Sequence, residues 1–397
     1  MSNRNHPEMP ERPVRGFSPD EFALRTRKLQ ELMADAELDA LLLTTPQNIR
    51  YLTGFASQFW ESPTRPWFVV LPLGGDPIAV IPEIGESQMA ATWLTDVRTW
   101  PAPRPEDDGI SLLVDTFRSL PVKFARIGAE MGREMPMRLP MNEFKALASA
   151  LSGISLVDGS PTVWRARMIK TDAEIERIRY AAVLASIAYA QLPGYVHRGM
   201  SEREVNSLLA RELLKAGADA VPFLPVISGQ GGVAQIVVGP GDRVLEEGDI
   251  VFIDTGITYD GYFCDFDRLY AVGDAGDPCK RANDAVWRAT EAAIDALRPG
   301  MTCDDLWRVM NTILEEAGSL SNNVGRMGHG LGLHLTEPPS HMPGDKTVIK
   351  ENMVLTIEPG MEYAPGKMIV HEENVVVRAE GAELLSLRGP REMWSIW

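Results

Sequence analysis

The feature of this 397-residue sequence that most constrains its fold is an internal repeat with a spacing of 101 residues. Gly199-Met200-Ser201 and Gly300-Met301-Thr302 each precede a helical pattern that ends in Ala-Gly. A long helical pattern comes before each copy, over 171–193 and 277–297, and strand-like runs follow each one. Such repeats indicate a copied supersecondary unit. Residues 165–390 are therefore predicted to form two helix–helix–strand halves with pseudo-two-fold symmetry and a site between the halves.

The residues before the repeat have the pattern of a smaller α/β domain. Ser18-Pro19-Asp20-Glu21 resembles a capping box with proline at the first helical position, and it predicts a helix through about Ala36. Short apolar runs that end in turn residues, such as Trp67–Leu71, predict strands. The domains expected are a flexible segment over 1–16, a small α/β domain over 17–163 and a larger domain over 164–397.

Composition limits the classes of function. Asp plus Glu (55) exceed Lys plus Arg (39), for a formal charge of −16. This excess argues against binding to nucleic acid or to an anionic membrane, because both require a positive field. No apolar run approaches the ~18 residues of a membrane span, and none near the N-terminus suggests a signal peptide. Three cysteines fit a reducing compartment, so we expect a soluble cytoplasmic enzyme.

The strongest chemical signal is the segment VFIDTGITYDGYFCDFDRLY, residues 251–270. Asp260-Gly261 is a favoured two-residue hairpin turn, and this turn would place Asp254 opposite Asp267 and diagonal to Asp265. Side chains alternate along strands, so the three carboxylates would share one face. Three acids beside apolar residues repel one another unless cations neutralise them. The simpler interpretation is a solvated polar face on the hairpin.

Three later segments supply further donors. They are Gly328-His329-Gly330, a strand that ends at Glu358-Pro359-Gly360, and an apolar strand that contains Glu372. Four carboxylates and one imidazole suit harder divalent ions such as Mn²⁺ better than the thiolates of structural zinc sites do. Four negative charges balance two divalent ions, which could share one water molecule. A single Mg²⁺ or Ca²⁺ site is the simpler alternative.

These motifs resemble the pita-bread metallopeptidases, a family that includes prolidase, aminopeptidase P and methionine aminopeptidase. The N-terminal half also resembles that of prolidases and creatinases, at Asn48–Phe55, so the resemblance covers nearly the whole chain. It implies an α+β fold: a pita-bread (creatinase/aminopeptidase) catalytic domain with an internal pseudo-two-fold repeat, preceded by a smaller creatinase-like α/β domain. The metal ligands that it implies are Asp254, Asp265, His329, Glu358 and Glu372.

The resemblance also implies an activity. The chain would be a cytoplasmic, homodimeric, dinuclear metal-dependent hydrolase of the Xaa-Pro dipeptidase or aminopeptidase type. A metal-bridging hydroxide would attack the amide carbon of a short peptide, and Glu358 would act as general base and then as general acid. Two divalent ions are expected, with Mn²⁺ the first choice and Co²⁺, Zn²⁺ or Fe²⁺ as substitutes.

The sequence departs from the peptidases at two histidines that usually hold substrate. Their positions are occupied by Val237 and Thr336, and Asp267 replaces the threonine of the second aspartate motif. His334 would reach the same pocket if the segment is extended, because residues i and i+2 of a strand face the same way. The expected substrate-binding residues are Phe223, Val237, His334, Thr336 and, through a dimer partner, Trp60, and His334 is also a catalytic candidate.

Two other functions stay open at this point. One is a non-peptidase member of the family acting on a small metabolite, such as an amide hydrolase like ectoine hydrolase or a lyase like the dimethylsulfoniopropionate lyase. The missing histidines favour this alternative. The other is a non-catalytic binding protein on the same scaffold, which the five intact ligands argue against.

Overall fold

The computed structural model describes residues 9–61, 65–321 and 325–397. They form two compact units. One is Gly16–Arg167, and the other is Met168–Trp397 together with the N-terminal residues up to Arg15. Within the described residues, no helix combines the length and the apolar character needed to cross a bilayer.

The unit Gly16–Arg167 is built on one mixed six-stranded sheet. Ser18 caps the first helix, since its Oγ accepts a hydrogen bond from the Glu21 N–H. The elements of this unit are α1 (Pro19–Asp35), β1 (Ala40–Leu43), α2 (Pro46–Thr53), β2 (Phe68–Pro72), β3 (Ile78–Pro82), α3 (Glu86–Met89), β4 (Asp96–Trp100), α4 (Ile110–Arg118), β5 (Arg126–Ala129), α5 (Met141–Ala150), β6 (Ser155–Asp158) and α6 (Ser160–Met168). The strand order in the sheet is β4-β3-β2-β1-β5-β6.

The second unit contains the repeat. Its first half comprises α7 (Asp172–Gln191), α8 (Glu202–Ala216), β7 (Ala220–Phe223), β8 (Val226–Gln230), β9 (Asp249–Tyr259), β10 (Tyr262–Phe263) and β11 (Phe266–Val272). Its second half comprises α9 (Asp277–Ala296), α10 (Cys303–Glu316), β12 (His329–Gly330), β13 (Glu337–Ser340), β14 (Val354–Ile357), β15 (Gly360–Ala364), β16 (Lys367–Val370), β17 (Glu373–Arg378), β18 (Gly381–Leu384) and β19 (Trp394–Ile396).

Matching residues begin the corresponding helices of the two halves. Ser201 caps α8 in a capping box with Glu204, and Thr302 caps α10 in a capping box with Asp305. The sequence of a long helix, a capped helix and then a sheet thus occurs twice, as the repeat predicts. In the second half, α9 and α10 lie over the sheet of order β13-β12-β14-β17-β18 and bury its apolar face. The predicted α+β fold with a smaller α/β domain ahead of the repeat is confirmed.

The segment predicted to be flexible, 1–16, is only partly covered, because residues 1–8 lie outside the described residues. The described part is attached to the second unit. Tyr259 donates to the Pro13 carbonyl at 2.6 Å, Arg177 donates to the Val14 carbonyl at 2.7 Å, and Arg15 pairs with Asp219.

Candidate metal centre

The hairpin β9–β11 has the register that the Asp260-Gly261 turn predicts. Both turn residues have positive φ (48° and 80°), as a two-residue turn of the favoured type requires. Asp254 lies opposite Asp267. Asp265 lies in the short break between β10 and β11, next to this pair.

The three hairpin carboxylates are buried, so the interpretation as a solvated polar face is wrong. Asp254, Asp265 and Asp267 are 9%, 4% and 2% exposed. Desolvation raises the pKa of each of them well above its usual value, and neighbouring carboxylates raise it further. Three acids in such an environment favour either protons or cations.

Three donors from the second half of the repeat complete the cluster. His329 lies on β12, Glu358 directly follows β14, and Glu372 lies between β16 and β17. The His329 Nδ1 is 2.8 Å from the Gly330 carbonyl oxygen. That contact suits the tautomer with its proton on Nδ1, in which Nε2 carries the lone pair that can bind a metal ion. That Nε2 is 3.4 Å from Asp265 Oδ2. Desolvation also raises the pKa of Glu358, to about 8.

This donor set fits divalent cations. One ligand atom from each of Asp265, His329 and Glu372 lies within 4.8 Å of the others. No donor among the described residues forms a hydrogen bond with four buried carboxylate oxygens, which are Oδ1 of Asp254, Oδ1 of Asp265, Oδ2 of Asp267 and Oε1 of Glu372. Buried polar atoms are normally satisfied, and a metal ion is one way to satisfy carboxylate oxygens. Asp254 and Glu358 face the same cluster, since each raises the pKa of Glu372.

Residues around the cluster hold its ligands in place. Asn374 fixes Asp265 by exchanging hydrogen bonds with its backbone N–H and carbonyl. Arg268 donates to the carbonyl of Glu372 at 2.8 Å and pairs with Glu373 at 2.9 Å. Asp267 accepts the N–H of Glu372 at 3.1 Å, so one of its oxygens orients a ligand while the other faces the cluster. Sequence reasoning missed Arg268, although a cation directly after three acids in an apolar strand was an available signal.

The predicted substrate residues lie in different surroundings. Val237 is 73% exposed, on a turn whose N–H groups donate to the side chain of Gln235. Phe223 ends β7 and is half-buried opposite Gly256 of β9. Trp60 belongs to the other unit, Gly16–Arg167, where it is half-buried. Thr336 accepts a hydrogen bond from Arg326 at 3.3 Å.

The strand argument for His334 does not hold in the structure. Residues 332–336 bend instead of extending, and the Gly332 N–H donates to the His334 carbonyl at 3.1 Å. The backbone N–H of His334 donates to Glu337, which forms a buried ion pair with Lys170 at 3.1 Å. The imidazole is 20% exposed. A role for His334 in substrate binding or catalysis stays a prediction.

A cation that sequence reasoning passed over lies next to the cluster. Arg326 precedes His329 by three residues, and its charge acts to lower the pKa of both Asp265 and Glu358. The half-buried guanidinium donates to the hydroxyls of Thr336 at 3.3 Å and Ser340 at 3.2 Å. Among the described residues, no carboxylate oxygen lies within 4 Å of it. It was not recognised because nothing local in Gly-Arg-Met marks it as part of a site.

Comparisons with known proteins match both units. The family model "Metallopeptidase family M24" matches residues 176–379, and the model "Creatinase/Prolidase N-terminal domain" matches residues 25–169. The probable dipeptidase PepE of Mycobacterium bovis is 31% identical over 380 residues, which cover 96% of this chain and 98% of that protein. The putative dipeptidase YkvY of Bacillus subtilis is 27% identical, with 91% of this chain and 97% of that protein covered.

Solved structures agree with these matches. The crystal structure of dipeptidase PepE from Mycobacterium ulcerans has a TM-score of 0.83 at 30% identity and covers 96% of this chain and 99% of its own. A prolidase from Thermococcus sibiricus has a TM-score of 0.85 at 25% identity and covers 96% of this chain and 100% of its own.

Proposed function

This chain belongs to metallopeptidase family M24 and is a hydrolase, and from that premise we propose that it is an Xaa-Pro-type dipeptidase with a dinuclear metal centre. The observation that carries the proposal is the set of buried carboxylate oxygens without hydrogen-bond partners around His329. The alternative of a non-peptidase acting on a small metabolite is not favoured, because the relatives are named as dipeptidases and prolidases.

The two ions would be held by Asp254, Asp265, His329, Glu358 and Glu372. Divalent ions supply Lewis acidity, which polarises the scissile carbonyl and makes water a stronger nucleophile at neutral pH. Glu358 would accept a proton from the attacking water and return it to the leaving amine. Oxygen-rich donors with one imidazole favour Mn²⁺, with Co²⁺, Zn²⁺ and Fe²⁺ as substitutes.

Arg326 supports a dipeptide as the substrate. Within the described residues the guanidinium donates to two neutral hydroxyls, and it can exchange them for a carboxylate, with which it forms shorter and stronger hydrogen bonds. In a dipeptide the C-terminal carboxylate lies one residue beyond the scissile bond, so a cation near the metal donors is where this group would bind. Longer peptides would place an amide there.

The test combines metal content with a matched pair of substrates. Protein reconstituted with Mn²⁺ should hold two ions per chain by mass spectrometry and should hydrolyse Xaa-Pro dipeptides. Converting the terminal carboxylate to an amide should lower kcat/KM at least tenfold, and Arg326→Gln should remove most of that difference. Absence of bound metal, or equal cleavage of the dipeptide and its amide, would contradict the respective part of the proposal.

The remaining assignments belong to the same proposal. Phe223, Val237, His334 and Thr336 would contact substrate, with His334 also close to the chemistry, and Trp60 would contribute from the partner of a cytoplasmic homodimer. Single alanine variants assayed for KM and kcat test these residues, and sedimentation tests the dimer. The domain division at 163/164, with its flexible 1–16 segment, is tested by limited proteolysis.

A further inference from the structure

A cavity in the unit Gly16–Arg167 has the features of a second binding site. Its volume is about 400 Å³, within the range of ~300–1,000 Å³ common for ligand pockets. None of the metal donors belongs to this unit. Part of the wall is apolar, formed by Pro66, Pro105, Met137, Leu139 and Pro140.

Three buried hydrogen-bond donors on the wall find no acceptor in the part of the chain that the structure describes. They are Trp60 Nε1, Arg65 Nε and Trp67 Nε1, and all three side chains line the cavity. Trp67 is only 5% exposed. A buried indole N–H usually finds an acceptor, so a molecule in the cavity that carries an anionic or carbonyl oxygen would satisfy these groups.

The charged side chains of the wall are also not paired with each other. Two cations, Arg65 and Arg138, and two acids, Asp108 and Glu143, line the cavity. Within the described part of the chain, none of the four forms an ion pair within 4 Å. Arg138 instead donates to the backbone carbonyl of Trp60. The cavity therefore offers both positive and negative groups to a ligand.

A larger cleft elsewhere differs from this cavity because its cations are paired with acids. It measures about 640 Å³ and lies in the unit Met168–Trp397, and four of its charged residues form two ion pairs. Lys280 pairs with Asp274 at 2.7 Å, and Arg391 pairs with Asp284 at 2.6 Å. This cleft is larger than the cavity, but both of its cations are already paired.

We propose that the cavity lined by Arg65, Trp67, Arg138 and Glu143 binds a free amino acid with an apolar side chain. The α-carboxylate would accept hydrogen bonds from Arg65 and from the indole N–H of Trp67. The α-ammonium would pair with Glu143, and the side chain would pack against Met137 and Leu139. The inference rests on the cavity alone, although a dipeptidase releases molecules of this class.

Calorimetric titration of the full-length, chelator-treated protein with L-leucine tests the inference. Leucine should bind with one site per chain. Leucinamide, which lacks the carboxylate, and N-acetyl-leucine, which lacks the ammonium, should each bind about tenfold more weakly or worse. Absence of leucine binding would overturn the inference. Tighter binding of Leu-Leu than of leucine would also overturn it, because the site would then recognise peptides.

Substitutions locate the binding site. Arg65→Gln and Glu143→Gln should each weaken leucine binding about tenfold or more, since each removes one charge that the ligand would pair with. Lys145→Gln, an exposed change on the same helix as Glu143, is the matched control and should bind normally. Circular dichroism establishes that the variants are folded. Binding that survives both cavity substitutions, or that is lost in Asp254→Ala, would place the ligand elsewhere and refute the assignment.

Discussion

Replacing Lys170 by methionine should strongly destabilise the unit Met168–Trp397. Lys170 and Glu337 form an ion pair at 3.1 Å, and their side chains are 2% and 1% exposed. Lys170→Met keeps the apolar stem but leaves the Glu337 carboxylate buried without its lysine. Breaking a buried pair by removing one partner costs ~3–5 kcal/mol, because the remaining charge stays desolvated.

Scanning calorimetry converts this cost into a temperature. For a domain of about 150–250 residues, each kcal/mol lowers Tm by ~2–4 °C, so Lys170→Met should lower the transition of this unit by ~6–20 °C. The double variant Lys170→Met/Glu337→Leu should recover much of the loss, since both buried charges are gone. Lys280→Met removes one side of the exposed pair with Asp274 and should leave the transition where it is.

Two results would refute this reasoning. A Tm for Lys170→Met within 2 °C of the wild-type value would mean that Glu337 is not held in a low-dielectric environment. A double variant less stable than the single variant would mean that the pair itself stabilises the fold. Glu337 also accepts the N–H of His334, so kcat for a dipeptide should change in Lys170→Met if His334 contacts substrate.

Three further outcomes are expected. Asp267→Ala should weaken metal binding about 10–100-fold in a chelator competition without removing an ion, because Asp267 orients Glu372 by accepting its N–H. Loss of a whole metal equivalent would make Asp267 a direct ligand. Gly328→Ala should lower the metal content of the protein, because φ of Gly328 is +127° and an added Cβ would lie 2.2 Å from the Thr356 carbonyl oxygen. Full metal occupancy in this variant would contradict the prediction. Burial raises the pKa of Cys279 to about 11 and of Cys303 to about 12, so both stay protonated thiols below pH ~10. Iodoacetamide at pH 8 should therefore label them only after unfolding, and mass spectrometry measures the labelling.

Local patterns were sufficient to predict the hairpin and the helix starts. The Asp260-Gly261 turn and the alternation of side chains fixed which residue faces Asp254, and both depend only on neighbours along the chain. The cap of the first helix at Ser18 is equally local and is present in the structure. These signals are reliable because few long-range contacts compete with them.

The hydrogen bonds and ion pairs that hold the site residues in place could not be predicted in the same way. Asn374 holds Asp265 from 109 residues away, and Lys170 pairs with Glu337 from 167 residues away. Neither partner has a local pattern that identifies the other. The strand expected at His334 failed for a related reason, because the bend over residues 332–336 places its N–H against Glu337.

The number of residues in the hairpin turn determines which side chains of the two strands face the metal site. Side chains alternate with a period of two, so one inserted residue that shifted the register would bring Ile253 or Thr255 to the position of Asp254. The sheet would still have its backbone hydrogen bonds, but the carboxylates on the two strands would no longer face each other. The two turn residues must therefore tolerate positive φ, and an insertion between Tyr259 and Tyr262 that shifts the register by one residue would abolish the ligand set.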